Sequence, residues 1–424
     1  MNLNDMPDEV LCQIFDKLDV YELKLASLVC RRWAELTFAG QRMDRVWFML
    51  PDADWEPLLN IKRPYRNINH DGRLLTEVPF ERLSRLLQIL KLPVRMLQID
   101  YGLTFEELRL ILLEVPELQH LSIKSYIDSN GKTNGPFPVL TKLKCLELYR
   151  LENNEFDFFA MNILNLHSLY MSCDTDSELE AWKHLSGQLQ LVNINQSKAT
   201  HFSHFLELTF PHLEDFTIEK LICETTEEEN IVSSRGNDFF RRHSLLRRLS
   251  VSVTFLVEWI RSITIHCPNL TYLDLLLKDP EEGILESLVH CPLLKHLKLD
   301  GKLDTKLFRG TIKSLESVKL RMHPSRVFLE NLFETAPQLY YLEINPICYE
   351  YLQVLDCKFI CEKFSCLRRL ELDLTYGTPA DNSGLVRIDR LVHLEKLKLW
   401  ALNNIHCIHQ NNVRCLTISH FVSL

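Results

Sequence analysis

Few places in the 424-residue sequence hold residue types whose spacing could do chemistry. Asn130-Gly131-Lys132-Thr133 ends like a phosphate-binding loop, where a lysine and a hydroxyl follow a glycine-rich turn. The first glycine of that pattern falls at position 126, which is Tyr126, so no nucleotide site is predicted. Cys357, Cys361 and Cys366, followed by His406, Cys407 and His409, offer thiols and imidazoles to zinc but lack paired C-x-x-C knuckles. Cys267 and Cys291 recur at equivalent places in neighbouring segments, as buried structural thiols do. Neither a G-x-S-x-G elbow nor an H-E-x-x-H helix occurs, and the carboxylates are spread along the chain. The expectation is a chain with no catalytic residues, no cofactor and no metal.

Composition narrows the remaining classes. The chain is 46% hydrophobic and 25% charged, an ordinary globular balance that excludes wholesale disorder. Net charge is -9 with no Lys/Arg block, so nucleic acid is not an expected partner. The longest run free of Asp, Glu, Lys and Arg, Phe158–Cys173, is sixteen residues and carries Asn162, Asn165, His167 and Ser168; no membrane span is expected. The first residues, MNLNDMPDEV, lack the apolar core of a secretory signal. The 13 cysteines are therefore expected to be reduced thiols in the cytoplasm and/or nucleus. Only 12 glycines occur, too few for a protein built around phosphate-cradling loops.

What must position any binding residues is a repeat. From Val94 onward, apolar-x-x-apolar-x-apolar recurs, clearest at Leu118-Leu121-Ile123, Leu270-Leu273-Leu275, Leu294-Leu297-Leu299 and Leu394-Leu397-Leu399. Eight of the thirteen gaps between successive starts lie between 23 and 25 residues, a regularity that random apolar placement does not produce. The last two apolar positions are two apart, so in a strand they share a face, while the polar residue between them points the other way. Helical segments are expected between strands. Thr104 with Glu107 reads as a capping box, and Asp279-Pro280-Glu281-Glu282 as the start of a helix through Ile284, Leu285, Leu288 and Val289. The long gap after Leu213, with Glu224 to Asn230 and then Arg241-Arg242, reads as a protruding loop.

One strand and one helix every 20–29 residues resembles the leucine-rich-repeat family over roughly residues 94–424, and His266-Cys267-Pro268-Asn269-Leu270 is similar to its cysteine-containing subtype. The resemblance implies an α/β solenoid of about fourteen repeats, with a parallel sheet on the concave face and helices on the convex face. The tail Ser419–Leu424, or a partner, is expected to cover the edge of the last strand.

Residues 1–50 depart from the repeat, and residues 51–93 read as a linker with a first, atypical repeat region. Pro7 with Asp8 and Glu9 starts a helix whose stripe is Val10, Leu11, Ile14, Phe15 and Leu18. Asp19 interrupts it, and a further helical pattern runs through Leu25, Leu28, Val29, Trp33 and Leu36. A small all-α bundle of about three helices is predicted. The order Met6-Pro7-x-Glu9-Val10-Leu11-x-x-Ile14-Phe15-x-x-Leu18, then Leu28-Val29-Cys30-Arg31-Arg32-Trp33 and Val46-Trp47, resembles the F-box. Met6 and Val46 stand where leucine is usual, and both keep an apolar side chain.

That resemblance implies docking onto the Skp adaptor, and through it a cullin ligase core. Pro7, Ile14, Phe15, Leu18, Leu28, Val29, Cys30 and Trp33 would supply the contact or the packing behind it. The repeats would hold a protein substrate for ubiquitylation, without catalysis by this chain. Lys298, Lys319 and Arg321 form a basic step, Glu343, Glu371 and Asp373 an acidic one, and Lys398 with Trp400 follows; these are the substrate-binding candidates. The rivals are a non-degradative adaptor or scaffold, and a small-molecule sensor using the basic step.

Overall fold

A computed structural model describes residues 3–50, 65–70, 79–90, 93–128, 133–151, 161–252, 257–277, 280–322, 324–345, 356–373, 385–387, 390–401, 406–408 and 415–420. The architecture is α/β: an amino-terminal helical segment, then strands paired in parallel with helices between them, the order of a repeat solenoid. Two compact units divide the chain, Met1–Ser172 with Asp176–Gln188, and Cys173–Thr175 with Leu189–Leu424. No helix among the described residues is long and apolar enough to cross a membrane.

The first unit opens with α1 (Asp8–Phe15), α2 (Val20–Ser27) and α3 (Arg31–Thr37), then a 3-10 helix at Gly40–Arg45. Its strands are β1 (Trp47–Met49), β2 (Asn67–His70), β3 (Met96–Ile99), β4 (Leu103–Thr104), β5 (His120–Asp128), β6 (Cys145–Leu151) and β7 (Ser168–Cys173). Helices α4 (Pro79–Leu90), α5 (Phe105–Glu114) and α6 (Asp176–Leu185) complete it. Pairing is parallel from β1 to β2, β3, β5, β6 and β7, so it begins at Trp47, ahead of the regular triplets. The expected capping box opens α5: Thr104 Oγ1 accepts from the Glu107 amide at 3.2 Å, and Glu107 Oε2 from the Thr104 amide at 2.7 Å.

The second unit holds β8 (Leu191–Lys198), β9 (Asp215–Ile218), β10 (Leu221–Ile222), β11 (Arg248–Val251), β12 (Tyr272–Leu277), β13 (His296–Gly301), β14 (Ser317–Leu320), β15 (Tyr341–Ile344) and β16 (Arg369–Asp373). Then come β17 (Leu385–Arg387), β18 (Lys396–Ala401), β19 (His406–Ile408) and β20 (Cys415–His420), with β17 and β19 forming a separate parallel pair. Its helices are α7 (Ala199–Phe205), α8 (Thr226–Arg242), α9 (Val257–His266), α10 (Arg326–Thr335) and α11 (Cys357–Lys363). The register carries Leu273, Leu297, Val318, Leu342, Leu370 and Leu397 in one row across β12 to β18. Both strand positions of the triplet are at most 1% exposed wherever side chains are described, from Leu97 and Ile99 to Leu397 and Leu399. Burial of two large aliphatics per strand, worth about 1.5–3 kcal/mol each, is what selects this register.

Two local expectations fail for identifiable reasons. The segment after Glu224 is no loop but α8, the longest helix described: Thr225 caps it by accepting from the Glu228 amide, acids fill its first turn, and Arg241 and Arg242 close it. Its Val232, Phe239 and Phe240 are fully buried, beside Trp259 of α9. Conversely, the predicted helix through Ile284 to Val289 is only a 3-10 helix at Glu286–His290. Gly283 sits at φ 77°, and Gly283 and Leu285 donate to the Lys306 and Leu307 carbonyls at 2.8 and 2.9 Å, so the backbone pairs sideways instead of coiling. The predicted cap residue Asp279 lies outside the described residues. Ser419 and His420 continue β20, in register with Trp400 and Ala401, rather than folding over an edge; residues 421–424 lie outside the described set.

Candidate functional site

The amino-terminal helices pack around Leu11, Phe15, Leu23 and Ala26, with Met6, Leu18, Trp33, Leu36 and Phe38 against them. Phe15 and Trp33 meet edge to face, ring centroids 5.3 Å apart. Asp19, which looked like an interruption, is the cap of α2: its carboxylate accepts from the Glu22 amide and the Glu22 carboxylate from the Asp19 amide, both at 2.8 Å. The predicted continuous pattern from Leu25 to Leu36 is broken at Leu28–Cys30, because Cys30 leaves helical geometry at φ -160° and caps α3 with its sulfur.

Buried Arg42 clamps the bundle. It donates to Asp16, just past the end of α1, at 2.6 Å and to the Leu36 carbonyl of α3 at 2.7 Å. Arg32 binds Asp8 and the Met6 carbonyl. Asp44 carries the bundle onto the first strands: its carboxylate accepts from Arg66 at 2.8 Å and Arg95 at 3.4 Å, and its carbonyl from Asn67 at 2.7 Å.

This packing sorts the eight predicted docking residues. Phe15 is 1% exposed and belongs to the core, with Leu18, Cys30 and Trp33 half-buried behind it. Pro7, Ile14, Leu28 and Val29 are exposed, Leu28 by 76% and Val29 by 58%. The sequence reading missed further exposed apolar groups, Tyr21 and Leu25, and took Val10 as part of the buried stripe. Tyr21, Leu25 and Leu28 are spaced i, i+4, i+7 from a helix that starts at Val20, and Val10 and Ile14 are spaced i, i+4 on the side of α1 away from Leu11 and Phe15. The signal that would have found Tyr21 and Leu25 is the cap at Asp19.

The substrate candidates lie on the open face of the second unit, alternating with buried strand residues. There the charge blocks close on one another. Lys298 reaches Asp274 at 2.6 Å and Lys319 reaches Glu343 at 2.8 Å. Glu371, 4% exposed, is held by Arg369 at 2.5 Å and by Lys398 at 3.5 Å. Arg321 stands 3.9 Å from Asp300, Lys398 lies over Trp400, and Asp373 is opposite Trp400 in register. Burial alone would lift the Glu343 carboxyl, but hydrogen bonds from Lys319 and Tyr341 hold it below the usual carboxylate range. The basic step is therefore matched by carboxylates from neighbouring strands, which disfavours capture of a polyanionic small molecule. Stacked cations add to the face: Arg248 over Tyr272 at 4.5 Å and Arg369 over Tyr341 at 4.4 Å.

Of the thiols and imidazoles weighed as zinc ligands, Cys357 and Cys361 are buried in α11 and Cys366 is exposed. The side chains of His406 and Cys407, and all of His409, lie outside the described residues. The ligand-type residues that do converge, among those described, are His120, Cys145 and Glu147 on β5 and β6.

Residues 3–46 match the family model for F-box-like domains. No curated protein matches the chain significantly. The helical bundle around Phe15 and Trp33 is thus an F-box-like domain, and it suggests a substrate-adaptor role in a complex of the Skp–cullin–F-box type.

Proposed function

We propose that this chain is a non-catalytic substrate receptor of a Skp–cullin–F-box ubiquitin ligase. Its F-box-like domain docks on the Skp adaptor, and its strand-and-helix units, read as leucine-rich repeats, hold a target protein. The observation that carries this reading is the division of apolar residues within residues 3–46. Leu11, Phe15, Leu23 and Ala26 fill the core, while Ile14, Tyr21, Leu25, Leu28 and Val29 are left to solvent. A module this small that exposes so many large apolar side chains is built to bury them against something else.

The receptor needs no chemistry of its own. Tethering raises the effective concentration of the target's lysines beside a ubiquitin-loaded enzyme carried by the same complex. The row of paired charges and stacked Arg–Tyr contacts on the second unit suits a folded protein surface better than a uniform polyanion.

The test is affinity capture of the full chain from cells, beside a Leu28→Asp/Val29→Asp variant. Wild type is expected to bring down the Skp adaptor and cullin, and the variant to lose both while retaining other partners. Partners held by both forms whose cellular levels rise on proteasome inhibition are the degradation targets. Equal recovery of adaptor by the two forms would remove the docking claim. Partners indifferent to proteasome inhibition would instead favour a scaffold.

A further inference from the structure

His120 and Cys145 are register partners on the open face of β5 and β6, and Glu147 is the partner of Ser122 one step along. Nε2 of His120 lies 3.9 Å from Sγ of Cys145 and 3.3 Å from Oε1 of Glu147, and all three ligand atoms fall within 4.8 Å of one another. Zinc bonds of about 2.3 Å to sulfur and about 2.0–2.1 Å to nitrogen and oxygen, set tetrahedrally, place N and S about 3.6 Å apart and N and O about 3.3 Å apart. The observed separations come within a few tenths of an ångström of both. We propose that His120, Cys145 and Glu147 form a three-ligand zinc(II) site whose fourth position opens outward from the sheet face.

The donor set selects the metal class. A thiolate and an imidazole suit zinc, whereas magnesium and calcium take oxygen donors alone. The backbone is prepared for it. The intervening Leu121 and Leu146 are fully buried, and the Cys145 amide donates to the Gln119 carbonyl at 3.0 Å, so both strands hold their ligands on a fixed rung. An outer group is in place too: Ser122 Oγ donates to Glu147 Oε2 at 2.7 Å, turning Oε1 toward His120.

In the metal-free protein, burial and the nearby Glu147 charge push the Cys145 thiol up to about 12. His120 and Ser122, working against burial, hold the Glu147 carboxyl below its ordinary range. Zinc binding would form the Zn–S bond and release the thiol proton to solvent, and Nε2 of His120 would ligate through its lone pair in the tautomer that carries the imidazole proton on Nδ1. Lys124, exposed on the same strand, also favours the charged form of Glu147. The three residues fall outside residues 3–46, so the zinc proposal does not rest on adaptor docking.

The experiment is a cobalt(II) titration of the reduced, metal-stripped full chain, followed by displacement with zinc(II). Wild type is expected to release a proton as a cobalt–thiolate charge-transfer band grows in and saturates at one equivalent, and to lose that band when zinc displaces cobalt. Cys145→Ser, nearly isosteric, is expected to lose the band while keeping its circular dichroism and melting temperature. His120→Asn is expected to weaken zinc binding by more than 100-fold, and Ser122→Ala by roughly 10-fold. The other cysteines of the chain set the background, which Cys145→Ser measures directly. A wild-type band no larger than that background overturns the proposal, as does full retention of the band in His120→Asn; the latter variant decides the matter if Cys145→Ser does not fold.

Discussion

Leu28 and Phe15 carry the same weight as apolar residues of the F-box resemblance, yet their truncation should have opposite consequences. Leu28 is 76% exposed and Val29 58% exposed, in the break between two helices. At about 0.8 kcal/mol per buried CH2, scaled by exposed fraction, Leu28→Ala removes about 2 kcal/mol of docking energy and Val29→Ala about 1 kcal/mol. Together that is roughly a 100-fold rise in Kd for the Skp adaptor. Because neither side chain is buried in the free protein, stability should stay within about 0.5 kcal/mol of wild type. Phe15→Ala instead empties the core beneath Trp33 and should cost about 3–5 kcal/mol of folding energy, with docking lost as a by-product. Titration calorimetry against purified adaptor at fixed salt, paired with thermal melts in the same buffer, separates the two. The reasoning is refuted if the Leu28→Ala/Val29→Ala double variant binds within twofold of wild type, or if it melts as early as Phe15→Ala.

Three further outcomes follow from the second unit. A methyl group on Gly236 would lie 2.1 Å from Nε1 of Trp259, whose indole donates to the Ser233 carbonyl, so Gly236→Ala should destabilise by about 1–3 kcal/mol in urea titrations despite a gain in helix propensity. His243 is buried and neutral: it accepts from the Phe210 amide, and burial, with Arg242 nearby, lowers its pKa to about 4 although the Phe239 carbonyl favours its charged form. Since the unfolded chain takes up that proton first, the contribution is complete above about pH 6.5 and is lost as pH falls toward 4, on the order of 3 kcal/mol in all. Stability measured across that window should slope for wild type and flatten for His243→Gln. Lys298→Met leaves half-buried Asp274 with the Ser250 hydroxyl as its hydrogen-bond donor among the described residues, and a Lys298/Asp274 double-mutant cycle should return a coupling of about 1–2 kcal/mol, above the ~0.2–1 kcal/mol of exposed pairs.

Period and alternation are local, so the paired Leu and Ile of each strand could be placed from spacing alone, and the Thr104–Glu107 cap from four residues. Helix boundaries depended on finer signals. Thr225 and Glu228 have the same spacing and Thr225 caps its helix, but an acidic run and a long gap between triplets concealed it. The helix after Pro280 failed because Gly283 and Leu285 pair with Lys306 and Leu307, a competition that no short window contains.

The charged residues illustrate the deeper division. Apolar periodicity announced the strand ladder and the amino-terminal bundle, because hydrophobic burial is non-directional and needs only the right residue every second or fourth place. Whether Lys319 is a free cation or the partner of Glu343, whether Phe15 faces water or Trp33, and whether His120, Cys145 and Glu147 meet at all are questions of how segments 18 or more residues apart are placed together. Electrostatics and coordination act over a few ångströms and in fixed directions, so those answers came into being only when the strands were laid side by side.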